Sequence, residues 1–430
     1  MRRIAVIGSG ISGLAAAHAL APQARVTLFE AGSHFGGHSH TVDVRLEGIV
    51  HGVDTGFLVF NHRTYPQLVA LFKRLGVETA PSDMSFSVQV PQQRLEWSGS
   101  DLNAVFAQRR NLLRPRFLGM LAQILRFNKL CTGIALAGEE AAMAEPIEDF
   151  LDRHGFGSAF RDWYLLPMLG CIWSCPTDQM LRFPVGTMIR FCHNHGLIQV
   201  NDRPQWHTVV GGSRQYVRKM LQAIPDARLR TPVRAVRRSA AGATVATDAG
   251  SEHYDEVVLA CHSDQALALL ADASQAERQL LGAIRYQPNR AVLHTDTALL
   301  PQRQLAWAAW NYERAPQDAQ EQSRVCLHYL INKLQPLPWR TPVVVSLNPV
   351  RRIAPDRVIG EFGYSHPVFD SAAVAAQRRL AEIQGVAHTW FCGAWTRYGF
   401  HEDGLMSGNA VAAALGERLA AEPAVERAAA

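Results

Sequence analysis

A glycine-rich turn between a short apolar run and a helix of small residues constrains this chain more than any other feature. Arg3-Ile4-Ala5-Val6-Ile7 reads as a buried strand, Gly8-Ser9-Gly10-Ile11-Ser12-Gly13 follows, and Leu14 to Leu20 reads as a helix. Arg25-Val26-Thr27-Leu28-Phe29 is a second strand, ending at Glu30 and Ala31. Strand, glycine turn, helix and acid-terminated strand, in that order, make the dinucleotide-binding βαβ unit. Gly8 permits the tight turn, Gly10 lets the backbone approach a pyrophosphate, and Gly13 lets helix and strand pack closely. Ile11 and Ser12 open the helix, whose free N–H groups and positive dipole end face such an anion. Glu30 stands 20 residues past Gly10, where a carboxylate can accept hydrogen bonds from a ribose and disfavours a 2′-phosphate. The unit predicts an α/β fold around a Rossmann-like sheet.

FAD and NAD share that unit, so a second signal is needed. Gly36-Gly37-His38 follows Glu30 closely, and His51-Gly52-Val53-Asp54-Thr55-Gly56-Phe57 reads as a strand entering a glycine turn. Near the C-terminus, Thr389-Trp390-Phe391-Cys392-Gly393-Ala394 reads as a strand ending in glycine, and Gly404-Leu405-Met406-Ser407-Gly408 opens a last apolar helix. Together these resemble the flavin-binding pattern of the amine oxidase superfamily. The resemblance implies that both termini build one FAD-binding domain, with an interleaved α+β substrate domain. It adds Gly36, Gly37, His38, Thr55, Gly56 and Phe57 to the cofactor contacts of the first unit, including Ala31. It places Val233 at the adenine, and Gly393, Gly404, Leu405 and Met406 at the ribityl chain and the pyrimidine end of the flavin. No second GxGxxG occurs, so no dedicated nicotinamide domain is expected.

Longer runs narrow the resemblance. Gly56-Phe57-Leu58-Val59-Phe60-Asn61, Pro81 to Val88, Cys171-Ile172-Trp173-Ser174-Cys175-Pro176, Arg203-Pro204-Gln205-Trp206 and Tyr398 to Gly404 are similar to one group. It is the flavin-containing oxidoreductase domain at the N-terminus of plant cyclopropane fatty acid synthases, with its stand-alone bacterial relatives. Some of these desaturate methyl-branched phospholipid acyl chains in furan fatty acid synthesis. The resemblance implies hydride abstraction from an unsaturated or methyl-branched acyl chain of a phospholipid or fatty acid, by desaturation or isomerisation. The alternatives are a flavin amine oxidase and a flavin-bearing partner of a fatty-acyl methyltransferase. Amine oxidases commonly carry a lysine that holds a water at the flavin N5; the comparable stretch, Gln287 to His294, has none. Covalent-flavin members carry a cysteine where Glu361 to Pro367 has none, so the FAD is expected to be non-covalent. An aromatic-cage tyrosine is replaced by Phe400. The superfamily places turns carrying His366 and His401 near the isoalloxazine. With Tyr364 and His193 these form the catalytic candidates, since hydride transfer leaves one proton to handle.

The family places cofactor segments at 1–75, 205–262 and 386–420, substrate segments at 76–204 and 263–385, and a frayed tail at 421–430. A chain of 430 residues has room for this, at about 100–200 residues per domain. Gly211-Gly212-Ser213 reads as a strand-to-helix turn with Ser213 as N-cap. Seven scattered cysteines make no disulfide framework and point to a reducing, cytoplasmic setting. Cys171, Cys175, His193 and His195 contain the residue types of a zinc site, but His-x-His is atypical and Trp173 between the cysteines points to packing; no metal is expected. A net charge of +5 gives no reason to expect nucleic acid. Residues 102–138, however, hold Arg109, Arg110, Arg114, Arg116, Arg126 and Lys129 with no acid, interleaved with large apolar residues at helical spacing. That pattern suits either a helix with a solvated basic edge or peripheral docking on an anionic membrane.

Overall fold

In a computed structural model of the chain, residues 1–173, 177–199, 203–315 and 325–421 are described. Cys175 and nearly all of the 421–430 tail lie outside them.

Five short strands form a wholly parallel sheet in the order Asp226–Arg228, Arg25–Phe29, Arg3–Ile7, Glu256–Leu259, Thr389–Phe391. Their apolar runs are continuous rather than alternating because both faces are covered. Ile4 and Val6 point into one core, Ala5 and Ile7 into another. The first helix, Ile11–Leu20, lies on one face, and the last, His401–Ala421, packs along it. A Cβ on Gly408 would lie 2.2 Å from the Ser12 carbonyl oxygen, so the close crossing of these helices needs a glycine there. The last helix starts at His401, three residues before the expected Gly404: Asp403 accepts from the Phe400 N–H at 2.9 Å and closes the first turn.

A seven-stranded sheet runs Val358–Val368, Arg285–His294, Val344–Leu347, Cys326–Leu330, Trp310–Glu313, Phe86–Val90, Leu95–Ser98. All its pairings are antiparallel except that of Trp310–Glu313 with Phe86–Val90. Register separates its faces. Trp310 stands opposite Phe86 and Tyr329, and Tyr312 opposite Val88 and Leu327, which makes one face apolar. The other face is polar yet buried: Asn311 opposes Ser87 and His328, Glu313 opposes Gln89 and Cys326, and His328 opposes Ser346. Its groups satisfy one another, as buried polar groups must. Ser346 bridges His328 and His294 at 2.7 Å each, and Arg351 donates to both oxygens of Glu313 at 2.7 and 2.9 Å.

A helical layer completes the fold. Helix Pro115–Ala137 has Pro115 in its first turn and ends at Gly138 in the left-handed region. It buries Phe117, Met120, Phe127 and Cys131 against Val185–Asn194 and the residues around Arg161–Leu165. Among the described residues, no helix is long and apolar enough to cross a membrane. Ser213 precedes helix Arg214–Leu221, but its side chain does not cap it. Its hydroxyl and N–H instead donate to the buried Asp54, at 2.8 and 2.9 Å, tying this turn to the end of strand Ile49–Asp54.

Candidate cofactor and active site

A cavity of about 1000 Å³ lies where the carboxyl ends of the parallel strands meet the apolar face of the larger sheet. Ligands bind at that edge of parallel sheets because the helix N-termini and flexible turns gather there. Gly8 has φ +104°, which favours glycine, and a Cβ on Gly13 would lie 1.9 Å from the Gly8 carbonyl oxygen. A Cβ on Gly10, by contrast, would meet nothing within 4 Å: it would project into open cavity. Glu30, at the end of its strand, accepts from the Ser9 N–H at 3.0 Å and hydroxyl at 2.5 Å, and from the Gly32 N–H at 2.7 Å. Gly36 donates to the Ser9 carbonyl at 3.1 Å, so the two glycine turns form one lip. Gly8, Gly10, Ile11, Ser12, Glu30, Ala31, Gly36, Gly37 and His38 all line the cavity, as do Gly56, Phe57, Val233 and Gly393.

Five expected contacts do not. Gly13 is spent on helix–strand packing. Thr55 is buried behind the wall, where its hydroxyl meets the Tyr364 hydroxyl at 2.6 Å. Gly404 and Leu405 are buried against the first helix, and Met406 is not among the lining residues, because the last helix begins earlier than expected.

Tyr364, His366 and His401 line the cavity; His193 does not. The neighbouring His195 does. It follows the last residue of helix Val185–Asn194, donates Nδ1–H to the Phe191 carbonyl at 3.0 Å, and stacks on Phe191 at 3.9 Å. His366 lies on strand Val358–Val368 and His401 opens the last helix, so neither is on a turn. His401 stacks on Phe57 at 3.8 Å, and its Nε2 meets the Tyr216 hydroxyl at 2.8 Å. Burial pushes its pKa down to about 3. Burial, helped by His262, pushes His366 to about 4. Burial and then three other histidines hold His38 well below the ordinary range. These rings are neutral at pH 7. Burial raises Tyr364 to about 12 against the Thr55 hydrogen bond.

The proton on His366 can be placed from backbone partners. The Arg290 N–H donates to Asn348 Oδ1 at 2.9 Å, and Asn348 Nδ2 donates to the Val325 carbonyl at 3.1 Å, which fixes the orientation of that amide. Asn348 Nδ2 also donates to Asn289 Oδ1 at 2.7 Å. Asn289 Nδ2 therefore donates, to the Gln287 carbonyl at 3.1 Å and to His366 Nδ1 at 2.8 Å. His366 Nδ1 is an acceptor, so the neutral ring carries its proton on Nε2. Asn289 lies within the stretch where amine oxidases commonly carry lysine.

The sequence reading weighed His195 as a metal ligand and took its neighbour His193 as the catalytic candidate; it passed over Asn289, His262, Tyr286 and Trp395. All but Asn289 line the cavity. His262 and Tyr286 stack at 4.3 Å, and the Tyr286 hydroxyl accepts from the Ser263 N–H. The available signal was positional: His262 and Trp395 each follow the carboxyl end of a parallel strand. Among the described residues, the one group of side chains able to gather round a metal is Glu313, Cys326 and His328, on the polar face of the larger sheet. Arg351 already occupies both carboxylate oxygens there.

A parallel sheet with a glycine-turn cofactor rim, closed by a second mixed sheet, defines an FAD-dependent oxidoreductase. Residues 11–331 match the family model of flavin containing amine oxidoreductases, and the chain belongs to that family. FAD is its cofactor. A protein of Mycobacterium tuberculosis named as a flavin-containing monoamine oxidase, AofH, is 26% identical over 271 residues, 60% of this chain. That match spans 56% of the relative's length. Among solved structures, the fatty acid isomerase from P. acnes that produces CLA covers 96% of this chain and 98% of its own (TM-score 0.68, 15% identity). Cyclohexylamine oxidase from Brevibacterium oxydans covers 97% and 99% (TM-score 0.67, 17% identity). These likenesses speak to the fold.

The residues present fit FAD. Open space stands where a side chain on Gly10 would intrude, and the buried His38 Nε2 has no hydrogen-bond partner.

Proposed function

We propose that the enzyme removes hydride from an unsaturated or methyl-branched acyl chain, giving desaturation, or double-bond migration where the hydride is returned to a different carbon. One observation carries this reading. Glu30, at the glycine turn, is the sole acid lining the cavity among the described residues, and no lysine lines it. Met84, Phe86, Met168, Cys171, Ile172 and Leu197 form an apolar wall that gives an ammonium ion no counter-charge and suits a hydrocarbon chain. Bound FAD would supply the two-electron acceptor. Gly10, Glu30, His38 and Val233 would hold it, with Gly56 and Gly393 beside it.

The remaining chemistry is positional. The apolar wall excludes water and fixes the carbon to be oxidised; an allylic carbon there has its C–H bond weakened by adjacent unsaturation. His366 enters as a hydrogen-bond donor, because its free nitrogen Nε2 already bears the proton. That removes His366 from the proton-accepting role among the candidates that line the cavity.

Amine oxidation is the second reading, favoured by the aromatic residues Tyr65, Phe191, Trp206 and Phe400 in the same wall, since π faces attract cations. Anaerobic titration of the yellow enzyme separates the two. Bleaching by unsaturated phospholipid or fatty acid, or a moved double bond in the recovered lipid, supports the first. Bleaching by primary amines alone overturns it. If neither class reacts and a fatty-acyl methyltransferase binds stably, the flavin-bearing partner role takes its place.

A further inference from the structure

Six of the thirteen exposed large apolar side chains among the described residues fall within positions 102–136. Leu102 is 79% exposed, Leu113 87% and Leu136 75%, with Leu112, Leu118 and Leu125 also exposed. On helix Pro115–Ala137 the exposed stripe reads Leu118, Ala122, Leu125, Lys129, Gly133, Leu136, at steps of three and four residues. A helix that buries one face in a core ordinarily presents polar residues on the other. Here the outward face is apolar as well, and clustered exposure of this kind marks an interaction surface.

Within residues 102–136 the charges are of one sign, and the arginines hydrogen-bond to groups other than carboxylates. Arg109 donates to Asn103 and to the Phe106 carbonyl, Arg110 to the Arg94 carbonyl and Arg114 to Asn111. Arg116 reaches Ser158, and Arg126 the carbonyls of His154 and Gly155. None of these partners is a carboxylate. Two neighbouring acids are engaged elsewhere: Asp101 caps the Ala104 N–H, and Glu96 accepts from the Gln302 and Arg303 N–H groups and pairs with Arg303. Desolvation and then the charges of Arg114, Arg303 and Arg94 lower the Arg110 pKa, so these cations crowd one another. Short helix Leu102–Val105 packs against Gln304–Ala306, whose Leu305 is 52% exposed, which extends the apolar surface.

We propose that residues 102–136, with Arg94, Arg303 and Leu305, form a docking surface for an anionic phospholipid bilayer, its leucines entering the acyl boundary and its arginines resting on the headgroups. A bilayer is the partner that offers apolar depth and dense negative charge together. With no helix able to span, the contact is peripheral. The helix packs on Val185–Asn194, whose Phe191 lines the cavity, so the surface stands one layer from the substrate wall. Docking is independent of what the cavity oxidises, and vesicles need not contain substrate to test it.

The probes are vesicles of phosphatidylcholine, with and without phosphatidylglycerol, in co-sedimentation with FAD-loaded protein. Wild type is expected to bind the anionic vesicles at least tenfold more tightly, and less so at high salt. Leu112→Ser with Leu113→Ser should lower binding at least tenfold at every salt concentration. Arg110→Gln with Arg114→Gln should lower it about tenfold at low salt and flatten the salt dependence. FAD content and melting temperature serve as controls for folding. Equal wild-type binding to both vesicle types, or variants that bind like wild type, would overturn the proposal. So would a wild-type dimer that the leucine variant makes monomeric while vesicles are ignored, because the surface would then join two copies.

Discussion

Burial lowers the His366 pKa, and Asn289 decides how the neutral ring is arranged. By donating to Nδ1 it stabilises the neutral ring, and it decides which nitrogen carries the proton. Nitrogen-15 NMR of the imidazoles should show His366 as the Nε2–H tautomer; the Nδ1–H tautomer would break the polarity chain that begins at the Arg290 N–H. Asn289→Leu should mix the tautomers, while burial still holds the His366 pKa below its ordinary 6.5. The sign of the stability effect follows. A histidine held below its unfolded pKa costs nothing above pH 6.5, and stability declines as pH falls from 6.5 toward 4. Because burial is the main cause of the shift, Asn289→Leu should keep that window. None of this could be read from the chain alone. Asn289 and His366 stand 77 residues apart, and only the register of two antiparallel strands joins them. His193 and His195 divide for a related reason: the helix ends between them at Asn194, and sequence could not say which ring faced the cavity.

At the scale of elements, the glycine turn was legible because its logic is local: each glycine answers to atoms within a few residues or to one adjacent strand. The larger sheet was not. Trp310-Asn311-Tyr312-Glu313 alternates as a half-exposed strand does, with polar side chains reading as solvent-facing. In the structure those side chains are buried beneath residues 295–309 and 348–357, which carry Arg351 to Glu313. Glu313 is 2% exposed, and Arg351 is its one cationic partner besides the His328 ring. Removing the arginine strands a buried carboxylate, which costs about 3–5 kcal/mol. Arg351→Met should therefore lower stability by about 3 kcal/mol in denaturant unfolding. Restoration by Glu313→Gln in the same chain would show that the loss is the stranded charge rather than a packing defect. A single Arg351→Met variant as stable as wild type would show that the arginine is not what keeps Glu313 buried.

For the whole molecule, the cavity is the joint. Its wall takes Ile7 and Phe29 from one hydrophobic core, Ile11 and Phe191 from the other, and Tyr364 and His366 from the larger sheet. A ligand held by all three binds the assembled molecule and not the unfolded chain, so FAD should stabilise the protein as a unit. At a free concentration 100 times its dissociation constant, the gain is about 2.7 kcal/mol. Unfolding entropies of about 2 cal/mol/K per residue then translate this into a rise of about 3 °C in Tm. Gly10 supplies the control. Its φ of −59° and ψ of 174° are open to any residue, and its Cβ would touch nothing. Gly10→Val should fold with the melting temperature of the stripped wild type, yet be colourless and show no rise with FAD, because the added methyls stand where the pyrophosphate must approach. A yellow Gly10→Val protein whose Tm climbs with FAD as wild type does would place the pyrophosphate elsewhere along the cavity. One that melts far below the stripped wild type would show that the glycine serves the fold rather than the cofactor.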